Sequence, residues 1–256
     1  MALVTGATSG IGAAFARRLA RDGYEVILHG RRREQLEGLA AELRARYGIS
    51  AEVLVADLAT SEGIQTVAGR AAETPNLTLL VNNAGFGLRG LFSQATAGAH
   101  AEMITVHVVA PVCLTRAVLP GMISRGRGAI INVASAAAFV AAPGSALYAA
   151  TKSCLVRFSE ELQRELAGTG VRVQALCPGF TRTEFHSRRG LDVSHIPGWL
   201  WMQPEAVVDA SLRGLQRGKL LCIPGAKYRC LVALSRWLPR GWLAKLAGSL
   251  ARRQPR

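Results

Sequence analysis

Short apolar runs alternate with longer stretches of helical periodicity along most of the chain. Seven runs rich in Val, Ile, Leu and Ala end at glycine, at proline or at a small polar residue, as buried parallel strands do. Between them, apolar residues recur every three or four positions, which predicts amphipathic helices. The predicted strands are 2–5, 25–29, 51–56, 78–81, 129–134, 171–177 and 219–223, and the main helices are 13–21, 34–46, 99–125 and 146–166. This alternation predicts an α/β protein with a parallel sheet of about seven strands and helices on both faces.

The 256 residues fit one large α/β domain, and half of them are apolar, which supplies a sizeable core. We interpret residues 1–225 as this domain and residues 226–256 as its basic, amphipathic helical extension. Within the long helix, Pro111 and Pro120 predict a kink and a near-terminal break. The most apolar window, 129–150, is interrupted by polar residues, proline and glycine, so we expect no transmembrane helix there.

The cysteines indicate a reducing compartment. They are odd in number and scattered, and none has metal-ligand spacing, so we expect reduced core thiols, no metal site and a cytoplasmic protein. The N-terminus lacks the basic and apolar regions of a signal peptide, which agrees with that expectation. The cysteines are Cys113, Cys154, Cys177, Cys222 and Cys230.

The formal net charge of +14 is unusual, and no acidic residue follows Asp209. Such an excess is typical of proteins that bind nucleic acid, an anionic membrane or a polyanionic ligand. The sequence has no helix-turn-helix, zinc-finger or RNA-binding signature, and aromatic residues do not alternate with the basic ones. We therefore expect no nucleic acid partner.

Glycines at 6, 10 and 12 lie between the first predicted strand and the helix that follows it. Glycine lets the backbone turn tightly and approach a ligand, and the helix N-terminus offers free N–H groups and a partial positive charge. At a first strand–helix junction this pattern is typical of a pyrophosphate-binding loop.

Arginines follow the second strand, where dinucleotide-binding folds often have an acidic residue for the ribose hydroxyls. Arg31 or Arg32 can bind a 2′-phosphate with a planar fork of donors, which favours NADP(H) over NAD. The alternative is a solvated basic start to the next helix. Asp57, at the end of the third strand, can accept a bond from adenine or cap the helix that begins near Ser61.

Tyr148 and Lys152 are four residues apart on a predicted helix and therefore project from one face. A neighbouring ammonium lowers the pKa of a phenol and makes it a usable acid or base near neutral pH. Ser135, at the end of the fifth strand, can bond the oxygen on which charge changes. An isolated Tyr-x-x-x-Lys is more often an ordinary surface pair, so the surrounding motifs decide the interpretation.

These motifs together resemble the short-chain dehydrogenases/reductases of the compact, single-domain kind. The matching features are the glycine loop from Thr5, Asp57, Asn82-Asn83-Ala84-Gly85, Ser135, Tyr148-x-x-x-Lys152, and Pro178-Gly179 with Thr183. The resemblance implies a Rossmann-like, doubly wound sheet with a nicotinamide dinucleotide along the strand ends. It implies that Tyr148 is the acid/base, that Lys152 bonds the nicotinamide ribose, that Ser135 holds the substrate oxygen and that Thr183 holds the carboxamide. The cofactor-binding residues it implies are Gly6, Thr8, Ser9, Gly10, Ile11, Gly12, Arg31, Arg32, Asp57, Leu58, Asn83, Ala84, Gly85, Tyr148, Lys152, Pro178, Gly179, Thr181 and Thr183.

His107 is a departure from the family, which usually has asparagine at this helix position to hold a water in a proton relay. Histidine can also bond water, and it titrates near neutral pH, so we include His107 among the candidate catalytic residues. The alternative is a buried histidine with a structural role.

Large apolar residues around the region after Pro178-Gly179 suggest an apolar substrate, such as a steroid, a fatty-acyl chain or a polyketide-like ring. The alternative is that the tryptophans pack this region onto the body. The candidate substrate-binding residues are Ser135, Phe139, Tyr148, Phe185, Trp199 and Trp201.

In the tail, Trp242, Leu246 and Leu250 share one helix face flanked by basic residues. This is typical of an interfacial helix on anionic lipid, and peripheral membrane association is one interpretation. Packing on the body or in a homodimer or tetramer, as the resemblance implies, is the other.

We therefore predict an NADP(H)-dependent oxidoreductase acting on ketones or secondary alcohols. An epimerase on the same scaffold and a non-catalytic NADP-binding regulator are the alternatives.

Overall fold

The computed structural model describes residues 1–88, 90–140, 144–184 and 196–237. All seven strands of its sheet are parallel. The strands are β1 (Ala2–Thr5), β2 (Val26–Gly30), β3 (Ala51–Val55), β4 (Leu79–Asn82), β5 (Gly128–Val133), β6 (Val171–Leu176) and β7 (Leu221–Cys222). The helices are α1 (Gly10–Arg21), α2 (Arg33–Tyr47), α3 (Ser61–Ala72), α4 (Ala97–Ile104), α5 (Ala110–Ser124), α6 (Ala146–Glu165), α7 (Pro204–Gln216) and α8 (Ala226–Trp237). The predicted fold class is confirmed.

The strand order is β3-β2-β1-β4-β5-β6-β7, so the chain winds outward in both directions from β1. Leu3 of β1 lies between Ile27 of β2 and Leu80 of β4. In open parallel sheets a ligand crevice forms where the strand order reverses, outside the carboxyl ends of the strands. Here that point lies between β1 and β4, directly above the glycine loop and the loop after Asn82.

Alternating residues of the strands feed two cores on opposite faces of the sheet. Val4 and Leu28 join Phe15 and helices α1, α2 and α7 on one face. Leu3 and Leu80 join α3, α5 and part of α6 on the other. Both faces of a parallel sheet are covered in this way, which explains why its strands read as continuous apolar runs.

The long helix predicted for 99–125 has a different irregularity from the one expected. A π-helical turn, Thr105–Val109, joins α4 to α5 just before Pro111. The expected break at Pro120 is wrong, because α5 continues through this proline to Ser124. By length and composition, Ala97–Ser124 could cross a membrane, but 44% of its most apolar window is buried inside the protein. One helix of this kind is weak evidence for a membrane span, because core helices pass the same test of length and composition.

The C-terminal extension begins with α8, and the predicted helix face of Trp242, Leu246 and Leu250 lies outside the described residues. Phe185 and the basic pair Arg188-Arg189 also lie outside them. All five cysteines are described and free, but only Cys177 and Cys222 are buried. The expectation of core thiols is wrong for Cys154 and Cys230, which are exposed.

Candidate active site

The glycine loop has the tight geometry that its sequence predicts. Gly6 and Gly10 have φ angles of +65° and +57°, which residues with side chains rarely adopt. At Gly12, a Cβ would lie 2.5 Å from the Asn83 side-chain nitrogen and still closer to the Gly6 carbonyl oxygen. Ser9, the N-cap residue of α1, makes no side-chain capping bond. The first N–H groups of α1 are therefore not capped by Ser9, as an anion site at a helix N-terminus requires.

The loop after β4 is tied to the glycine loop. The Thr5 hydroxyl accepts hydrogen bonds from the backbone N–H groups of Asn83 (2.9 Å) and Ala84 (3.0 Å). The Asn83 amide donates to the carbonyl oxygens of Thr5 (2.8 Å) and Gly6 (3.1 Å). Two motifs almost eighty positions apart thus form one rigid rim of the crevice.

Arg32 points toward the glycine loop, whereas Arg31 points away from it. The Arg32 guanidinium donates to the hydroxyls of Thr8 (2.6 Å) and Ser9 (3.4 Å) and lies 3.5 Å from Glu184. Arg31 is more exposed and pairs with Asp57 at 3.4 Å. A cation next to two hydroxyls has the chemistry of a phosphate site, so this corner fits the 2′-phosphate of NADP(H).

Asp57 does not cap α3, which corrects one of its two interpretations. The capping residue is Thr60, whose hydroxyl accepts from the Gly63 N–H at 3.0 Å. Asp57 instead accepts from the Ala59 N–H, and its other oxygen meets Arg31. Leu58 is buried in the core between the sheet and α3, so only its backbone is left to face a cofactor.

Lys152 is buried at the centre of the site. Its ammonium donates to the Val133 carbonyl at the end of β5 (2.8 Å), and burial lowers its pKa from 10.5 to about 8. The nitrogen lies 5.8 Å from the centre of the Tyr148 ring, and 3.5 Å from the position that a Cβ on Gly85 would occupy. The lysine therefore remains mostly protonated at neutral pH and sits between the phenol and the glycine-containing loop.

Ser135 lies two residues beyond the end of β5, the strand whose last residue, Val133, accepts the hydrogen bond from Lys152. Its hydroxyl accepts from the Ala137 N–H at 3.1 Å. The neighbouring Ala136 N–H donates to the Pro178 carbonyl at 2.8 Å, which fixes the Ser135 segment to the turn after β6. Of the three predicted catalytic residues, Ser135 therefore comes from the end of β5, and Tyr148 and Lys152 come from α6.

His107 is completely buried, and both of its ring nitrogens are hydrogen-bonded. Nε2 lies 3.0 Å from the Phe86 backbone N–H, which can only donate, so the ring proton is on Nδ1. Nδ1 lies 3.0 Å from the Thr151 hydroxyl, which donates to the Tyr148 carbonyl at 2.9 Å. The imidazole is therefore neutral and links the loop after β4 to the helix that carries Tyr148 and Lys152.

Thr183 lies directly on the glycine loop, where its Cβ would be 2.9 Å from a Cβ on Gly10. Thr181 is buried, and its hydroxyl donates to the Gly179 carbonyl at 3.0 Å. Thr183 is thus better placed than Thr181 to meet a cofactor in the crevice.

A small cleft beside Tyr148, with a cavity volume of about 20 Å³, was not identified from the sequence. Its walls are the loop after β4, one side of α4 and the start of α6, and they are mainly apolar. The lining residues are Leu88, Gly90, Leu91, Phe92, Ala95, His100, Met103, Gly144, Ser145, Ala146, Leu147 and Tyr148. The signal in the sequence was Leu91-Phe92, a pair of adjacent large apolar residues in this loop, and both are more than half exposed.

The sequence-predicted substrate residues are placed differently from one another. Phe139 packs on a small core cluster with Leu155. The Trp201 ring contacts Phe180, whereas Trp199 is 67% exposed and faces Lys227. The Trp201 ring thus contacts its own region of the chain, Trp199 lies at the surface, and a substrate role for either tryptophan stays a prediction.

Comparisons with known proteins agree with this geometry. The family model described as short chain dehydrogenase matches residues 1–193. The chain belongs to the short-chain dehydrogenase/reductase family. As a member of this family of oxidoreductases it is a dehydrogenase or reductase.

Three similar proteins illustrate the breadth of the family. Sulfoacetaldehyde reductase 2 of Chromohalobacter salexigens is 42% identical over 187 residues, which cover 72% of this chain and 73% of that protein. The very-long-chain 3-oxoacyl-CoA reductase of Anas platyrhynchos is 34% identical over 231 residues, covering 88% and 72%. The structure of a short-chain dehydrogenase from Sphingobium yanoikuyae in complex with NADPH is 37% identical, with a TM-score of 0.85, and covers 92% and 93% of the two chains.

Proposed function

We propose that the protein is an NADP(H)-dependent reductase of ketones, or dehydrogenase of secondary alcohols, with an apolar substrate. The observation that carries this proposal is the buried Lys152 ammonium, held at the end of β5 and facing the Tyr148 ring. Burying a charge is costly, and a protein retains such a group where its charge has a purpose.

The bound nicotinamide would supply or accept hydride at the reacting carbon. Tyr148 holds the proton that the substrate oxygen gains on reduction, and the Lys152 charge favours the phenolate that remains. The Ser135 hydroxyl donates a hydrogen bond to the same oxygen. In oxidation the same groups act in reverse order.

The preference for NADP(H) is supported by Arg32. Its guanidinium, with Thr8 and Ser9, forms a cationic corner at the end of β2, and the similar Sphingobium yanoikuyae enzyme was solved with NADPH. A 2′-phosphate bound there would compete with Glu184 for Arg32, and this exposed ion pair is weak enough to yield.

The role of His107 in a proton relay stays a prediction. Because both ring nitrogens already have partners, the geometry favours the structural alternative, in which the ring supports the catalytic helix. A water in the relay would then be held by other groups.

An apolar substrate is supported by the walls of the cleft beside Tyr148, among them Leu88, Phe92 and Met103. The similar 3-oxoacyl-CoA reductase is named for a long acyl substrate, and sulfoacetaldehyde reductase for a small anionic one. The apolar lining favours the former class of substrate over the latter.

We further propose a cytoplasmic homo-oligomer. Ile104, Val109 and Val112 are exposed along the helix that spans α4 and α5, and covering them with a second copy would remove apolar surface from water. Of the tail, Tyr228 and Val232 of α8 are buried in the body, which supports packing over lipid contact for this part.

The test is to follow the absorbance loss of NADPH with a panel of ketones of increasing size. We expect turnover, and Tyr148→Phe should lower kcat at least about 100-fold because the proton donor is lost. Full activity of this variant would contradict the mechanism. NADPH binding without any turnover would favour the regulator, and inversion of a stereocentre without net NADPH loss would favour the epimerase.

A further inference from the structure

The side chain of Tyr228, in the first turn of α8, is buried against the turn that follows β6. Gly179 in that turn has no side chain, and a Cβ there would fall within the Tyr228 ring. The ring therefore packs directly on the Gly179 backbone, and only glycine leaves room for it. The Pro178-Gly179 motif is thus shaped partly by a residue almost fifty positions later.

The Tyr228 hydroxyl joins two backbone segments, residues 178–184 and residues 196–202. It accepts from the Phe180 N–H at 2.9 Å and donates to the Leu200 carbonyl at 2.7 Å. The Met202 N–H also donates to the Phe180 carbonyl, and the Arg182 N–H to the Met202 carbonyl, both at 2.9 Å. The hydroxyl therefore closes one end of a short parallel pairing between the two segments.

Lys227 reinforces the same arrangement from the neighbouring position. Its ammonium donates to the Trp199 carbonyl and lies over the Trp199 ring at 5.8 Å and the Tyr228 ring at 5.7 Å. A cation over aromatic faces is attractive, so the start of α8 holds the 196–202 segment with two adjacent side chains.

This arrangement sets the position of Thr183 on the glycine loop. Thr183 is three residues beyond Phe180, and its side chain packs against Gly10. We propose that Tyr228 is a positioning residue for the nicotinamide half of the cofactor site, which it supports through the backbone of segment 178–184 without touching the cofactor. The proposal rests on the proposed function, because it assigns Thr183 to the nicotinamide carboxamide.

The adenosine half of the site has different supports. Arg32, Thr8 and Ser9 are held by the glycine loop and the end of β2, and segment 178–184 approaches Arg32 through the exposed Glu184 carboxylate. Because such exposed pairs contribute little, disturbing Tyr228 should leave the adenosine half nearly unchanged. This asymmetry makes the proposal testable.

The test is Tyr228→Phe in the full chain, which keeps the ring on Gly179 and removes only the hydroxyl. Leaving the Phe180 N–H and the Leu200 carbonyl without their partner should raise the Kd of NADPH about tenfold. The Kd of adenosine 2′,5′-bisphosphate, which carries the 2′-phosphate but no nicotinamide, should not change. Both constants are measured by calorimetric titration, and Tyr47→Phe, at the end of α2, is the matched control.

An unchanged Kd of NADPH in Tyr228→Phe would overturn the proposal. Equal weakening of NADPH and the bisphosphate would also overturn it, because that result indicates a general loss of structure. If Tyr228→Phe does not fold, Lys227→Met decides in the same way, with an expected NADPH-selective loss of about threefold. Neither titration needs a carbonyl substrate, so failure to find a reducible ketone would count against the proposed function alone.

Discussion

The rim around the glycine loop and the cleft beside Tyr148 are built in different ways. At the rim, most contacts involve backbone atoms: Asn83 bonds the carbonyls of Thr5 and Gly6, and Gly12 leaves no space for a side chain. At the cleft, side chains from separate segments, such as Phe92 and Leu147, form the walls. Backbone contacts permit few residue types, whereas an apolar wall accepts many.

This difference explains why the chemistry of the cofactor was easier to infer than that of the substrate. A loop that must approach a phosphate needs glycine at fixed positions, and these positions are visible in a sequence. The wall of a substrate cleft need only be apolar and of the right shape, so its residues have no fixed spacing in the sequence. Substitutions on the two sides should therefore differ in size and in kind.

The largest effect is expected at Gly12. In Gly12→Ala the new methyl group would collide with the Gly6 carbonyl and the Asn83 amide, so the rim must deform. We expect a loss of unfolding free energy of about 3 kcal/mol, measured by chemical denaturation, with NADPH binding abolished. The control is Gly38→Ala in α2, where a Cβ would meet nothing within 4 Å. It should be neutral or stabilising, and a tolerated Gly12→Ala would contradict the rigid rim.

Lys152→Met should stabilise the cofactor-free protein while it removes activity. Burial lowers the lysine pKa from 10.5 to about 8, so at pH 7 the folded state carries the cost of a buried charge. The unfolded chain binds more protons between these two pH values, so wild-type stability rises with pH across that window. At pH 7 we expect the variant to gain about 2–3 kcal/mol, after allowance for the lost bond to Val133.

The gain from Lys152→Met should shrink as the pH approaches 10.5, the ordinary value of the lysine pKa. Denaturation at several pH values measures this trend, with Lys219→Met, at an exposed lysine, as control. A variant that is less stable than wild type at pH 7 would show that the ammonium is better compensated than its burial indicates.

Arg32→Gln should weaken NADPH binding about 10- to 100-fold and leave NADH binding nearly unchanged, because only the former carries the 2′-phosphate. Arg33→Gln, at an exposed arginine paired with Glu37, is the control one residue later. The measurement is the Kd of NADPH and of NADH for each variant, obtained by titration. Equal effects on the Kd of NADPH and of NADH would show that Arg32 does not bind the 2′-phosphate.

The smallest effect is expected at the cleft. Phe92→Ala should raise KM for bulky apolar ketones about tenfold and leave the Kd of NADPH unchanged, because a large apolar contact is lost on the substrate side only. Ile123→Ala, an exposed apolar residue at the end of α5, serves as control. If KM for every ketone of the panel is unchanged in Phe92→Ala, the substrate does not bind in this cleft.

Much of the fold followed from local patterns. The strand and helix alternation, the β1–α1 glycine loop and the Tyr148–Lys152 face were all predicted, and strand limits differ from the prediction by one or two residues. Pro120 was misread because a proline late in a helix costs one backbone bond, which the packing of Val118 and Met122 outweighs. Asp57 was open to two interpretations because aspartate is a common capping residue, and the helix start was placed only approximately, near Ser61, although Thr60 is the residue that caps it.

Other features depended on residues far apart in the chain. Which arginine faces the glycine loop, which nitrogen of His107 carries the proton and what lies on Gly179 each depend on a partner at least twenty positions away. Neither periodicity nor spacing within a motif reports such pairs. The cleft walls were missed for the same reason, apart from the Leu91-Phe92 signal.

By itself, the sequence determined the α/β architecture, the place of the dinucleotide loop and the shared helix face of Tyr148 and Lys152. These depend on backbone conformation and on spacing within one helix turn, which are local properties. The tertiary structure decided the orientation of Arg32, the neutral state of His107, the apolar cleft and the packing of the start of α8 on Gly179. Those depend on which distant side chains the folded sheet brings together, and on how much water that packing excludes.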